Sequence, residues 1–372
     1  MRAVVCVPDG TEVADVPDPA AGPGEVVVQI EACGLCGSDV HAIENGMTGP
    51  GQVLGHEFGG RIADIGAGVT GWRTGQAVAV NPLGSCQQCR ACQAGVPFTC
   101  AAFPNVGLSA PGAYAEYVSV PASQLVPLPD GLPVAQGAHA EPLAVALQAV
   151  SQADVGPGDA VLVHGVGSIG LNAIMGLRLA GVDRIIGAGR SPGRRAAAAA
   201  VGADDVIDTR ETSLAQYVAD SGRRFTAVLD CSGAIGLFGE TMDLLEGGGA
   251  FVEVALTADV PSVPLFGLVQ GGLRVYGTCA YSYATFEAAV EHIAAGRVPV
   301  EKIISERVSL DETPDALFRL RRPGELVRIV SLPGQRSRPA DADAVAGVDA
   351  DADAAASTGA GGGAGAVPAG AQ

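Results

Sequence analysis

A single lysine, Lys302, stands in the 372 residues, and basic side chains number 22 against 40 acidic ones. The resulting net charge of −18 excludes nucleic acid as a partner, because its phosphates would be repelled rather than neutralised. Long apolar runs are also missing. None reaches the roughly 18 residues needed to span a bilayer, although 48% of the chain is hydrophobic and can build a sizeable core. The opening stretch from Met1 to Val5 is strand-like and runs into Pro8-Asp9-Gly10. It lacks the basic, apolar and small-residue order of a secretion signal, so a soluble, cytoplasmic protein is expected, with no membrane partner. Aromatic residues make up only 4% of the chain, and none occurs from Gln335 onward. That Ala-, Gly- and Asp-rich stretch cannot bury enough surface to offset its ordering entropy. Residues 335–372 are therefore expected to form a disordered acidic tail.

Cysteine, by contrast, is plentiful. Nine occur, and four fall close together as Cys86-x2-Cys89-x2-Cys92-x7-Cys100. An odd total fits poorly with paired disulfides, and such clustering in a cytosolic chain favours metal. Four thiolates surround one tetrahedral Zn²⁺ at about 2.3 Å each and leave no open position, which defines a structural site. An iron–sulfur cluster is the rival reading of the same four ligands.

A second, less complete set is Cys36-Gly37-Ser38-Asp39-Val40-His41 together with Gly55-His56-Glu57. Cys36, His56 and Glu57 offer three zinc ligands and leave the fourth position for water or an alcohol, the pattern of a catalytic zinc. Glu141 stands in Ala140-Glu141-Pro142-Leu143, just before an apolar helix. It is read either as a carboxylate reaching the metal, directly or through its water, or as an acid favoured by the helix dipole.

At roughly 150 residues per domain, the length suggests two domains. Residues 1–150 read as short strands broken by Gly and Pro, with 26–30, 60–65 and 76–80 as examples, which points to a β-rich, barrel-like domain. From about Pro157 strands alternate with helices: strands at 160–164, 184–188, 206–208, 227–230, 250–254 and 273–276, and helices at 169–180, just before Gly202, and at 285–295. This alternation means crossover units and a parallel sheet, expected over 151–283. Residues 284–334 return to strand-like pieces and are expected to rejoin the first domain.

The motif Gly165-x-Gly167-x-x-Gly170 follows the strand at 160–164 and opens the next helix at Ser168 and Ile169. In that context it marks a dinucleotide site. The first glycine makes the turn, the second admits the pyrophosphate, and the third lets helix and strand pack closely; the helix amides then hold the phosphates. After the second strand an NAD site usually places an acid for the ribose hydroxyls. Here Gly189-Arg190-Ser191 follows, with Arg194 beyond it. With no acid to repel a 2′-phosphate, room at Gly189 and guanidiniums to grip the phosphate, NADP is expected over NAD.

These motifs, in this order, resemble the zinc-containing medium-chain alcohol dehydrogenases, and within them the polyol (sorbitol), butanediol and threonine dehydrogenase branch. The resemblance runs from Met1 to Leu332. It implies an α/β two-domain protein, with a GroES-like β-rich catalytic domain and a Rossmann doubly wound parallel sheet. It also implies two Zn²⁺ per chain, a catalytic zinc shell of Cys36, His56 and Glu57 with Glu141 as an exchangeable ligand or water partner, Ser38 as the first member of a proton relay, and His41 as a candidate later member. The substrate implied is a small alcohol or ketone, and the assembly a homodimer or homotetramer. A zinc-free quinone or enone reductase of the same fold, and a non-enzymatic binding protein, are the alternatives.

Overall fold

The computed structural model describes residues 1–8, 10–86, 88–94, 96, 99–100, 105–234, 238–257, 260–320 and 324–335. Apart from Gln335, the tail expected to be disordered lies outside them. The chain opens with a hairpin, β1 (Arg2–Val7) and β2 (Gly10–Asp15). It then runs through β3 (Glu25–Gly34), α1 (Gly37–Glu44), β4 (Glu57–Ile65), β5 (Ala77–Val80), the short α2 (Arg90–Gln93), β6 (Tyr117–Pro121), β7 (Leu125–Pro127) and α3 (Ala140–Ala153). β3 is the hub of this half, pairing antiparallel with β4 and β6. Its apolar residues Val26, Val28 and Ile30 are buried with Phe58, Ile62 and Val78 in one core.

The second half alternates β8 (Ala160–His164), α4 (Ser168–Leu179), β9 (Arg184–Gly189), α5 (Pro192–Val201), β10 (Asp205–Asp208), α6 (Leu214–Ser221), β11 (Phe225–Asp230), α7 (Phe238–Met242), β12 (Leu245–Glu253), α8 (Leu265–Gly271) and β13 (Arg274–Gly277). The strands lie parallel in the order β10-β9-β8-β11-β12-β13. Connections diverge between β8 and β11, and a crevice at such a switch point is where open α/β sheets bind ligands. Both faces are covered, which is why β8 reads as an unbroken apolar run. Val161 and Val163 pack on the side of α3 and α4, while Leu162 packs with Val228 and Phe251 on the other. Two of the helices begin at serine caps: Ser191 Oγ accepts from the Arg194 amide before α5, and Ser213 Oγ from the Gln216 amide before α6, a stabilising device worth about 1 kcal/mol. One expectation was too short. The strand expected at 250–254 starts at Leu245, because Gly247, Gly248 and Gly249 interrupt the apolar pattern without ending the pairing with β11.

The chain ends through α9 (Tyr283–Ala294), β14 (Ile304–Ser309), α10 (Thr313–Arg319) and β15 (Arg328–Leu332). β15 pairs antiparallel with β3 and parallel with β14, returning to the first sheet. Phe286, Ala289, Val290 and Ile293 of α9 share a core with Leu143 and Ala146 of α3. These two helices straddle the limits expected at 150 and 283 and join the halves.

Candidate metal centres and dinucleotide cleft

Cys36 is the extended residue (φ −109°, ψ 141°) immediately before α1, and its side chain does not cap that helix. His56 and Glu57 stand where the chain enters β4. One ligand atom each from Cys36, His56 and Glu57 lies within 4.8 Å of the others. His56 Nδ1 lies 3.2 Å from Asp39 Oδ1, which leaves Nε2 for a metal. Glu57 Oε2 accepts from Arg328 Nη1 at 2.5 Å. Burial opposes a charge on His56, yet Asp39 outweighs it and holds the imidazole well above its ordinary pKa; burial also pushes the Cys36 thiol up. A half-buried thiol with a buried imidazole and carboxylate, converging on one point, fits a divalent cation of intermediate softness.

The four-cysteine loop is equally convergent. Single ligand atoms of Cys86, Cys89, Cys92 and Cys100 all lie within 4.8 Å of one another. Tetrahedral bonds of about 2.3 Å separate thiolates by about 3.8 Å, and Cys86 Sγ and Cys92 Sγ stand 3.9 Å apart. A multi-iron cluster sits between its cysteines and would hold all four sulfurs further apart, so the spacing fits one ion.

The glycine motif forms a cradle. Gly165 (φ +91°) turns the chain against the next strand's loop: a Cβ there would stand 2.7 Å from the Ser232 backbone. A Cβ on Gly170 would stand 1.9 Å from the Gly165 carbonyl oxygen, so the close approach of turn and helix requires glycine. At Gly167 only an Arg194 Nη1 comes near, at 4.0 Å. Gly167 precedes α4, whose second residue is Ile169, and Ser168 Oγ is buried there without a partner among the described residues. A phosphate oxygen would satisfy it.

Residues 22–130 match the alcohol dehydrogenase GroES-like domain and residues 168–295 the zinc-binding dehydrogenase domain. The chain is 30% identical to an L-threonine 3-dehydrogenase of Xanthomonas campestris pv. campestris, over 86% of this chain and 96% of that protein. It belongs to the zinc-binding alcohol dehydrogenase family. A sorbitol dehydrogenase of Halalkalibacterium halodurans is also 30% identical, over 90% of this chain and 99% of its own length. A solved structure from Sinorhizobium meliloti 1021 bound to NADP has a TM-score of 0.84 at 30% identity, covering 89% of this chain and 99% of that one. Membership makes the chain an NAD(P)-dependent oxidoreductase of alcohols, with the two-domain α/β fold of that family.

Within this dehydrogenase the remaining expected residues fall as follows. Ser38 Oγ donates to Cys36 Sγ at 3.2 Å. Glu141 is buried at the start of α3, and its pKa is pushed up to about 7 by burial, with His56 opposing and Glu57 reinforcing the rise. It is not one of the three converging ligands. His41 is exposed on α1, its ring 3.2 Å from the Asn45 side-chain amide. Arg190 is exposed at the mouth of β9, whereas Arg194 is half-buried, with Nε donating to the Leu326 carbonyl at 2.8 Å.

The expected room at Gly189 is not there. A Cβ would stand 2.6 Å from Val166 Cγ2, so packing on the glycine turn excludes a side chain at that position. An acid does lie close by: Asp208 of β10 is register-paired with Gly189. It is engaged by Arg210 at 2.7 Å and Arg195 at 2.6 Å, and Arg210 holds its carboxyl well below the usual range. The reading of the sequence also missed Asp39 and Arg328. Arg328 carries a signal, a charged residue between Leu326-Val327 and Ile329-Val330, which when buried must have a partner; Asp39, in the first turn of α1, carries none.

Beside the cradle, His164, Asp230 and Glu253 stand in register at the ends of β8, β11 and β12. His164 Nδ1 is 3.5 Å from Asp230 Oδ2, and Ser232 Oγ donates to Asp230 Oδ1 at 2.7 Å. Burial, with Asp230 adding to it, pushes Glu253 from 4.5 up to about 7. Between those values the folded chain keeps a proton that the unfolded chain has released, so this group makes stability fall as pH rises through that window. Glu253→Gln should remove the loss, so that the variant gains stability over the parent at pH 8 but not at pH 4.5. Urea midpoints at the two pH values check this; an equal difference at both would count against it.

Proposed function

We propose that this dehydrogenase transfers a hydride between a secondary alcohol, diol, polyol or hydroxy amino acid and a nicotinamide cofactor, holding two Zn²⁺ per chain and preferring NADP. The observation that carries the reading is the convergence of Cys36, His56 and Glu57 beside Ser38, with a separate four-cysteine site elsewhere. Zinc, when bound by the first set, supplies Lewis acidity to the alcohol oxygen. The nicotinamide, when bound along the glycine turn, supplies the hydride acceptor.

The chain's own residues then do the following. Gly165, Gly167, Ser168, Ile169 and Gly170 seat the pyrophosphate. Ser38 Oγ takes the substrate's hydroxyl proton and passes it outward along α1, where His41 meets solvent. Glu141, with a pKa of about 7, exchanges a proton near neutrality at the inner wall. Asp39 holds the His56 ring, and Arg328 holds Glu57.

Arg190 supports the cofactor preference, as does the neutralised Asp208. Bidentate guanidinium contact with a 2′-phosphate contributes about 1.5–3 kcal/mol, or about one to two decades in affinity. Because Gly189 cannot take a side chain without moving Val166, Arg190→Leu is the cleaner probe. It should cut kcat/KM for NADP about ten- to hundredfold and leave NAD nearly untouched. The deciding experiment combines elemental analysis with steady-state kinetics on diols, polyols, L-threonine and simple secondary alcohols, using both cofactors. One zinc per chain would overturn the two-zinc reading, and no turnover of any of these alcohols by zinc-replete protein would overturn the substrate reading. A kcat/KM for NAD at or above that for NADP would overturn the cofactor reading alone.

A homo-oligomer in the cytoplasm completes the proposal. None of the nine cysteines is in a disulfide, as zinc-binding thiolates in a reducing compartment require. No helix among the described residues is long and apolar enough to cross a membrane. Val263, Leu265, Phe266, Val269 and Val275 are exposed together around α8 and the edge strand β13. From Val260 to Gly277 the only charged residue is Arg274, in a chain of net charge −18. A face this poor in charge can approach its own copy with little repulsion, and an edge strand can pair with its own two-fold mate. Phe266→Glu with Val269→Glu should therefore yield monomers by light scattering. An unchanged mass would place the interface elsewhere.

A further inference from the structure

Tyr114 belongs to neither ligand loop, yet it is fully buried between them. Its amide donates to the Leu54 carbonyl at 2.9 Å, and its ring lies so close to Gly55 that a Cβ there would stand 2.8 Å from Cδ1. This fixes the ring against the turn that presents His56. The hydroxyl donates to Asp39 Oδ2 at 2.5 Å and accepts from the Cys36 amide at 3.4 Å. The Gly34 carbonyl is 3.1 Å from the same oxygen. The other Asp39 oxygen faces His56 Nδ1 at 3.2 Å. One phenolic oxygen thus touches the backbone of one candidate ligand and, through a single carboxylate, the imidazole of another.

We infer that Tyr114 is a positioning residue for the Cys36–His56–Glu57 metal centre, fixing Asp39 so that Asp39 fixes the His56 ring. The inference rests on the reading that these three residues hold zinc. A carboxylate behind a ligating histidine sets its tautomer and orientation, and loss of such a partner typically costs about 10–100-fold in metal affinity. Asp39 is itself fully buried, so its second oxygen also needs a donor, and Tyr114 is that donor. The bond joins a neutral hydroxyl to an ionised acceptor, the short and strong kind. A phenylalanine would fill the same ring space, so only the oxygen explains a tyrosine here.

The test uses the full-length, zinc-loaded protein. Zinc release from Tyr114→Phe is followed with the chromogenic chelator 4-(2-pyridylazo)resorcinol, and the four-cysteine zinc serves as an internal standard. The catalytic-site zinc should leave about tenfold faster, and the other at the parent rate. Cobalt(II) placed in the catalytic site should show shifted d–d bands, which a purely space-filling role would not produce. Because Tyr114 acts through Asp39, the double variant with Asp39→Asn should release zinc no faster than Asp39→Asn alone. Release of both zincs at parent rates in Tyr114→Phe, or additive effects in the double variant, overturns the inference. A parent protein that binds only one zinc overturns the metal reading instead.

Discussion

Replacing Cys36 by serine should lower kcat/KM for the alcohol by at least about 10³-fold, since Lewis-acid stabilisation of several kcal/mol converts at about 1.4 kcal/mol per decade. The zinc content should fall from two per chain to one, and the melting temperature should barely move. The reasons lie in ligand chemistry and in what Cys36 does not do. A serine hydroxyl stays protonated near neutrality and is a poor substitute for a thiolate. The Cys36 side chain makes no cap to α1, so no helix end is lost with it. Cys89 is different. Its sulfur accepts from the Cys92 amide at the start of α2, and a serine there would still cap that helix, but it would remove one of four converging thiolates, and a structural zinc contributes folding energy. Elemental analysis and kinetics on the same preparation decide the matter. A Cys36→Ser protein with two zincs and activity within tenfold of the parent would falsify the assignment.

Arg328→Ala should destabilise the fold by about 3–5 kcal/mol, the usual cost of removing one partner of a buried ion pair. Both groups are almost completely enclosed, Arg328 at 1% and Glu57 at 2% exposure. The guanidinium also donates to the Ala138 carbonyl at 3.0 Å, so one side chain braces β4 and the segment leading to α3. Gly34 leaves the space it needs: a Cβ there would stand 2.2 Å from both Arg328 Nη2 and Glu57 Oε2. Replacing both members, as in Glu57→Gln with Arg328→Met, should recover part of the stability without restoring metal, because no lone buried charge remains. Denaturant titrations of the single and double variants check this. A loss under about 1 kcal/mol in the single variant would show that water reaches Glu57.

The sequence was most legible where chemistry is local. The glycine turn, the four-cysteine loop and the covered strand 160–164 are each complete within a short window, and each lies where expected. The second sheet was readable because its central strands β8 and β11 are largely apolar and buried, which a sheet covered on both faces permits. What could not be read is what depends on distant partners. Tyr114 meets Asp39 across 75 residues, and Arg328 meets Glu57 across 271. Neither distance leaves a spacing signature, and Asp39 looks like an ordinary first-turn acid of α1. Gly189 was misread for the same reason. Its lack of a side chain pointed to free space, whereas Val166, brought back by the glycine turn, already fills it.

The pairing of β15 with β3 also sets a timetable for synthesis. The strands of the nucleotide sheet all fall between Ala160 and Gly277, so that sheet can close once they have left the ribosome. The catalytic sheet cannot. Val330 pairs with Gly34, and Arg328 reaches Glu57, so this half waits for nearly the whole described chain. Long-range closure of this kind is slow, and domains fold as units during synthesis. Until β15 arrives, Glu57 has no counter-charge, and the nascent first half carries its thiols and its unmatched carboxylate in the open.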